Sequence, residues 1–197
     1  MYPAVALLEF SSVAAGIVAG DAMVKRAPVD SVVAGTVQPG HYLVLVSGDV
    51  ASVEEAVDAA RAATPSMLDE VVLPDIHPDV VAAVRGERVT GGDALGIVET
   101  TTVASLLRAA DRGVKGAGVT LREIHLADGL GGKAYVLFGG TVSDVEAAVE
   151  IAAGGVAPSQ LVAEAVIASL HDEMDDNLAG HPRFGVRSGR EDSDATG

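Results

Sequence analysis

Asp128-Gly129-Leu130-Gly131-Gly132-Lys133 is the stretch of this 197-residue chain whose composition most invites chemistry. Glycine-rich backbone followed by a lysine can cradle an anion through exposed amides. The spacing is not that of a P-loop, and Ala134 stands where a magnesium-binding hydroxyl would be. A turn between two strands, with glycines supplying positive φ, accounts for the same residues more simply. Five histidines are present: His41, His77, His125, His171 and His181. None falls in a His-x-x-x-His or His-Glu-x-x-His pairing, so no local metal site is expected. Glu9 and Glu99 each end an apolar run, where a carboxylate is expected to satisfy nearby backbone or basic groups. Neither has a matching nucleophile or base nearby in sequence. The chain has no Cys, which removes thiolate nucleophiles, disulfides and Cys-ligated clusters. No enzyme, and no resident cofactor, is expected from these residues.

The elements that carry these residues are written twice. Shifted by ninety positions, Ala4–Val29 falls on Ala94–Val119 with ten identities in 26 positions, among them Glu9/Glu99, Asp21/Asp111 and Lys25/Lys115. After a two-residue slip, Gly40–Val57 matches Gly132–Val149, and a further slip pairs His77 with His171. Such self-similarity marks a duplicated domain. The expected lobes are 1–88 and 92–180, joined by a short linker containing Gly91-Gly92. Beyond them, 181–197 is expected to be a polar, disordered tail.

Within the first copy, residues 4–9 read as a buried strand and 13–26 as a helix capped by Ser11-Ser12. Val32-Val33 reads as a second strand, with 35–40 as a loop, and Tyr42–Val46 as a third strand. A helix over 53–63 follows a capping box of Ser52 and Glu55, and Ser143 with Glu146 offers the same in the second copy. Val71-Val72-Leu73 is a last strand, and 79–85 a short final helix. The fold class is therefore α/β in the α+β sense, two tandem ferredoxin-like β-α-β-β-α-β units, each with an appended helix. His77 and His171, at equivalent positions, suit a fold or interface role better than catalysis. Lys25 and Lys115 follow Asp21 and Asp111 at i+4, a pair worth about 0.3–0.5 kcal/mol on a solvated helix face. Their repetition points to a subunit edge.

Composition narrows the partners. The net charge is −15, from 13 basic and 28 acidic residues, which disfavours nucleic acid and anionic membrane. Hydrophobic residues make up 49% of the chain and aromatics only 3%, so the core must be built from closely packed Ala, Val, Leu and Ile. A positive mean hydropathy, +0.36, in lobes this small points to apolar surface covered by the other lobe or by other subunits. With no basic, apolar leader and no membrane-length apolar run, a soluble cytoplasmic protein is expected.

Three stretches carry a family resemblance: Ala94-Leu95-Gly96-Ile97-Val98-Glu99-Thr100, Asp21-Ala22-Met23-Val24-Lys25-Arg26-Ala27 and Gly48-Asp49-Val50-Ala51-Ser52-Val53. In their order and double occurrence they resemble bacterial microcompartment shell domains, in the unpermuted tandem arrangement, over roughly 4–178. The resemblance implies a shell tile: a homotrimeric pseudohexamer that meets other shell proteins and passes small polar metabolites through an axial pore. It carries the pore loop onto Gln38, Pro39 and Gly40 and onto Leu130, Gly131 and Gly132, with amides of the Gly131-Gly132 pair exposed to favour anionic or polar solutes. It carries the tile-edge lysine onto Lys25 and Lys115. Two departures stand out. The family's Pro-Arg-Pro-His is here Pro74-Asp75-Ile76-His77 and Ala168-Ser169-Leu170-His171, so its Arg is missing from both copies. The cysteines that hold an iron–sulfur cluster in some tandem members are also absent. From the residues alone, a trimeric ferredoxin-like regulator binding a small ligand between its lobes is the alternative.

Overall fold

A computed structural model describes residues 4–180; the expected tail at 181–197, with His181, lies outside the described residues. The apolar run at the start forms β1 (Ala4–Phe10), buried along its whole length. Helix α1 (Val13–Arg26) follows, with Ser12 as N-cap accepting a hydrogen bond from the Ala15 amide. Then come β2 (Ser31–Val37), β3 (His41–Gly48), α2 (Val50–Ala63), β4 (Met67–Leu73) and α3 (Pro78–Val84). The second copy repeats the order: β5 (Ala94–Thr100), α4 (Val103–Gly116), β6 (Thr120–Leu126), β7 (Ala134–Gly140), α5 (Val142–Ala153), β8 (Leu161–Ile167) and α6 (Asp172–Ala179).

Each copy folds into its own antiparallel sheet, ordered β2-β3-β1-β4 and β6-β7-β5-β8, the split β-α-β arrangement read from the sequence. Two local expectations change. Residues 35–37 are not loop: Gly35, Thr36 and Val37 pair with Leu43, Tyr42 and His41, so the connection shrinks to Gln38-Pro39-Gly40. Helices α2 and α5 are capped three and two residues earlier than expected, by Asp49 and Thr141, which accept from the amides of Ser52 and Asp144. Ser52 and Ser143 are therefore not N-caps. In α2 the Ser52 hydroxyl instead adds a second bond to the Asp49 carboxylate, which holds Asp49 below its usual pKa.

His77 and His171 are N-caps of α3 and α6. Each accepts, at Nδ1, the amide hydrogen of the residue two positions on, Asp79 at 3.3 Å and Glu173 at 3.2 Å. That is the fold role their repetition indicated. The core of the first copy, centred on Leu8, Phe10, Met23 and Val44, lies between its sheet and α1 and α2. The second core does not stop at the lobe boundary. It runs from Val136 and Phe138 through Val103, Leu107 and Ala110 into Val71, Leu73, Ile76 and Val80 of the first copy.

Candidate functional site

Two regions of this fold can carry function: the paired β2–β3 and β6–β7 loops, and the seam that joins the lobes. The loops come together. The Gln38 amide donates to Asp128 Oδ1 at 3.2 Å, and the Gly129 amide donates back to Gln38 Oε1 at 3.0 Å. A Cβ placed on Gly132 would lie 2.9 Å from Pro39 Cδ, so the second loop rests directly on the first. The six residues expected to line a pore, Gln38, Pro39, Gly40, Leu130, Gly131 and Gly132, thus sit in one loop pair. Their amides are less free than the sequence indicated. Gly132 donates to the Ala127 carbonyl and Leu130 to the same atom, while Gly40 donates to Val37. The glycines make the turn that the sequence favoured, with φ of +65° at Gly131 and +92° at Gly132, and the Gly132 amide is used within it. Beside the loops, Lys133 pairs with Glu99, and the His125 ring stacks on Tyr135 with centroids 5.4 Å apart. His125 Nε2 lies 2.9 Å from the Asp128 carbonyl, which ties the stack to the loop.

The seam is built by α4 of the second lobe against β1, β4 and α3 of the first. Burial follows a helical stripe on α4: Val103, Leu107 and Ala110 are fully buried and Val114 nearly so. Polar groups complete it. Glu9, wholly buried at the end of β1, accepts from the Val103 amide at 2.9 Å, filling one of the open donors at the start of α4. Its other oxygen lies 2.9 Å from His41 Nδ1. Burial pushes the Glu9 pKa up, partly offset by the hydrogen bonds from His41 and Val103. Asp69 accepts from the hydroxyls of Thr102 at 2.5 Å and Ser105 at 2.7 Å. Arg108 donates to the Glu70 carbonyl at 2.8 Å. The His77 amide donates to Asp111 at 2.8 Å, and Lys115 donates to the Asp75 carbonyl and to Asp111.

The two predicted edge lysines therefore occupy different surroundings. Among the described residues Lys25 pairs only with Asp21, at 2.6 Å, on an exposed face. Lys115, with 38% of its side chain exposed, reaches across to the first lobe. The seam partners Glu9 and Asp69 were visible as carboxylates in strands, but only pairing of the lobes reveals what they cap. Burial of Glu9, and of β1 on both faces, was the available signal.

Comparison with known proteins fits this architecture. The BMC domain model matches twice, over residues 4–76 and 94–170. The chain is 42% identical over 177 residues to the bacterial microcompartment shell protein PduT of Citrobacter freundii, covering 88% of this chain and 96% of that protein. It also resembles the crystal structure of a microcompartments protein from Desulfitobacterium hafniense, at 41% identity and a TM-score of 0.75, over 89% of this chain and 99% of the other. A fused permuted hexameric shell protein of the RMM microcompartment, 20% identical with a TM-score of 0.56 over 77% and 83%, shares the fold. With two domain matches that follow its two sheets, and a relative of this identity along nearly its whole length, the chain belongs to the bacterial microcompartment shell-protein family, as a member with two BMC domains in tandem.

Proposed function

We propose that this shell protein closes into a homotrimeric ring of six lobes, a tile whose paired loops line an axial pore for small polar metabolites. The observation that carries this reading is that the chain leaves exposed, at its two ends, the counterparts of what it buries in its own seam. Val103 and Leu107 are fully buried on α4; their repeat partners on α1, Val13 and Ile17, are 37% and 53% exposed. Leu73 and Val80, buried on the other side of the seam, correspond to Ile167 and Met174, both exposed. The pairing of Glu9 with Asp69 across β1 and β4 recurs as Glu99 with Ala163 across β5 and β8. One chain's α1 thus fits the β8–α6 end of another as α4 fits β4–α3.

Such a contact is head-to-tail, and three copies of a two-lobed chain close a six-lobed ring with no unmet end. Burying a Val, Ile or Leu fully contributes about 1.5–3 kcal/mol, and closure realises the share still exposed on the stripe, 37% at Val13 and 53% at Ile17. In the ring, Glu99 is placed to cap Val13 of the next chain as Glu9 caps Val103. The contact between chains is the more apolar of the two, because Ala163 replaces Asp69 and Val18 replaces Arg108. Lys115 braces the seam within the chain and Lys25 is placed to brace its counterpart between chains; the surface that each side chain keeps exposed is assigned to contacts between tiles and with other shell proteins. The alternative of a ligand between the lobes finds no support in a seam that is packed as continuous core.

Ile17→Asp sets a charge at the centre of the exposed stripe and is expected to yield monomers by analytical ultracentrifugation, where the native protein is expected to sediment as a trimer. Lys25→Ala with Lys115→Ala is expected to leave the trimer and to abolish extended sheets in electron micrographs. A trimeric Ile17→Asp protein would refute the head-to-tail ring, and normal sheets from the lysine pair would refute the edge assignment.

Gly131 tests the pore. Nothing lies within 4 Å of its Cβ position, so a side chain there projects into open space rather than into the fold. Asn tolerates the left-handed backbone better than other non-glycine residues. Gly131→Asn is expected to slow entry of a small polar dye into assembled shells severalfold while the trimer persists. Unchanged entry would move the pore elsewhere.

A further inference from the structure

Away from the loops and the seam, one buried cation is incompletely used. Arg122 is the extra residue of a bulge in β6: Leu121 pairs with Phe138 and Glu123 with Leu137, leaving Arg122 without a place in the ladder. The first lobe has no such bulge between β2 and β3, so Arg122 has no counterpart there. Its side chain is only 3% exposed. Nη2 donates to Asp175 of α6, but Nε and Nη1, both buried, have no hydrogen-bond partner among the described residues. A buried guanidinium with two unmet donors is costly unless something else meets them.

Beside it stands Arg88 of the linker, which donates to Glu123 and to the Leu178 and Gly180 carbonyls at the end of α6. Arg88 and Arg122 line a cavity of about 100 Å³ together with Glu123, which Arg88 already pairs, Thr90, and the apolar Val89, Leu137, Leu178 and Ala179. This is room for roughly three waters, or for one carboxylate carrying a short alkyl chain.

The arginine partner now in place is replaceable. Within the chain α6 has no buried residue, and the Asp175 side chain is 39% exposed, so Asp175 can leave when another anion takes its place on the buried Arg122. With Arg88, Arg122, Glu123 and Asp175 the cluster balances at two positive and two negative charges. An incoming anion that takes the place of Asp175 keeps that balance, whereas one added beside it would not. We propose that the cavity between Arg88 and Arg122 is a binding site for a short-chain aliphatic carboxylate, which displaces Asp175 from Arg122. Its carboxylate meets the guanidinium fork in the geometry arginine prefers, and its alkyl chain lies on Val89, Leu137, Leu178 and Ala179. The apolar walls argue for this over inorganic phosphate, which would leave them uncovered.

Calorimetric titration of the full-length protein with butyrate and, separately, with inorganic phosphate tests the site. Butyrate is expected to bind saturably and more tightly than phosphate. Asp175→Ala removes the internal competitor and is expected to tighten butyrate binding about threefold to fivefold. Arg122→Gln is expected to weaken it about tenfold or more. Asp175 lies on an exposed helix, so its variant reports on the site even if loss of Arg122 harms folding. No saturable butyrate binding, an Asp175→Ala protein that binds no more tightly, or phosphate binding as tight as butyrate would each overturn the proposal. The site lies within a single chain, so its failure would leave the trimeric ring standing, which sedimentation of the same samples reads separately.

Discussion

Glu9→Ala is expected to lower stability by about 2–4 kcal/mol, because it strips partners from two groups at once. The Val103 amide, at the start of α4, is buried and loses its acceptor, and His41 loses the oxygen 2.9 Å from its Nδ1. The damage falls on the seam, so the lobes should separate before either sheet unfolds. Denaturant unfolding followed at both lobes would show a broadened or split transition in place of a single one. A loss under about 0.5 kcal/mol would mean that water replaces the carboxylate freely, and that Glu9 does not hold the seam.

The same residue has a pH signature. Its folded pKa is raised above the 4.5 of the unstructured side chain, so the folded protein binds the proton more tightly than the unfolded chain does. Stability contributed by neutral Glu9 is fully present below pH 4.5 and is lost as pH rises through the raised value. Burial sets that direction, and Asp69 adds to it, against the hydrogen bonds from His41 and Val103. Glu9→Gln, fixed in a neutral form of the same shape, should therefore gain on the native protein in Tm as pH rises through that interval. If the native protein gains instead, Val103 and His41 hold Glu9 as an anion, and its pKa is lowered by folding rather than raised.

Gly92→Ala is expected to cost more than about 3 kcal/mol, from a collision of backbone with backbone. A Cβ at Gly92 would stand 2.3 Å from the Gly140 nitrogen and 2.8 Å from the Gly139 carbonyl carbon, in a residue with φ of +90°. Neither atom is the end of a flexible side chain, so the linker must lift off β7. Gly139 faces the reciprocal constraint, its Cβ position lying 2.3 Å from the Gly91 oxygen. Gly91 supplies the control. It has φ of +125° but nothing within 4 Å, so Gly91→Ala should cost only the conformational strain, about 1–2 kcal/mol. Equal losses in chemical denaturation of the two variants would show that the close approach is not what fixes the linker.

Much of this is legible in the sequence, for a definite reason. Strand and helix periodicity are local, and the duplication doubled each signal, so the unit and its element order followed from residues such as Ala4–Glu9 against Ala94–Glu99. Errors gathered where a local rule had two candidates. Asp49 and Ser52 are both good N-caps, and only the chain's path decides for Asp49. Gly35-Thr36-Val37 carries turn composition yet pairs as strand, because Leu43, Tyr42 and His41 offer a ladder that a single segment cannot announce. The loop residues were found together, but the state of their amides was not, since Ala127 takes the Gly132 hydrogen through a turn whose geometry composition leaves open.

By itself, the sequence determined that two like units stand in tandem, that Cys chemistry is absent, that the charge is strongly negative, and that His77 and His171 share one role. These follow from residue identity and spacing, which act over a few positions along the chain. The tertiary structure alone decided what joins the units. It set Glu9 on the end of α4, Asp69 on Thr102 and Ser105, Lys115 on Asp75, and left Val13 and Ile17 bare where Val103 and Leu107 are covered. Residues at equivalent positions are identical or alike in sequence and different in surroundings, because burial and pairing depend on groups some thirty to ninety positions away. That difference between equivalent residues marks the two open ends of the chain.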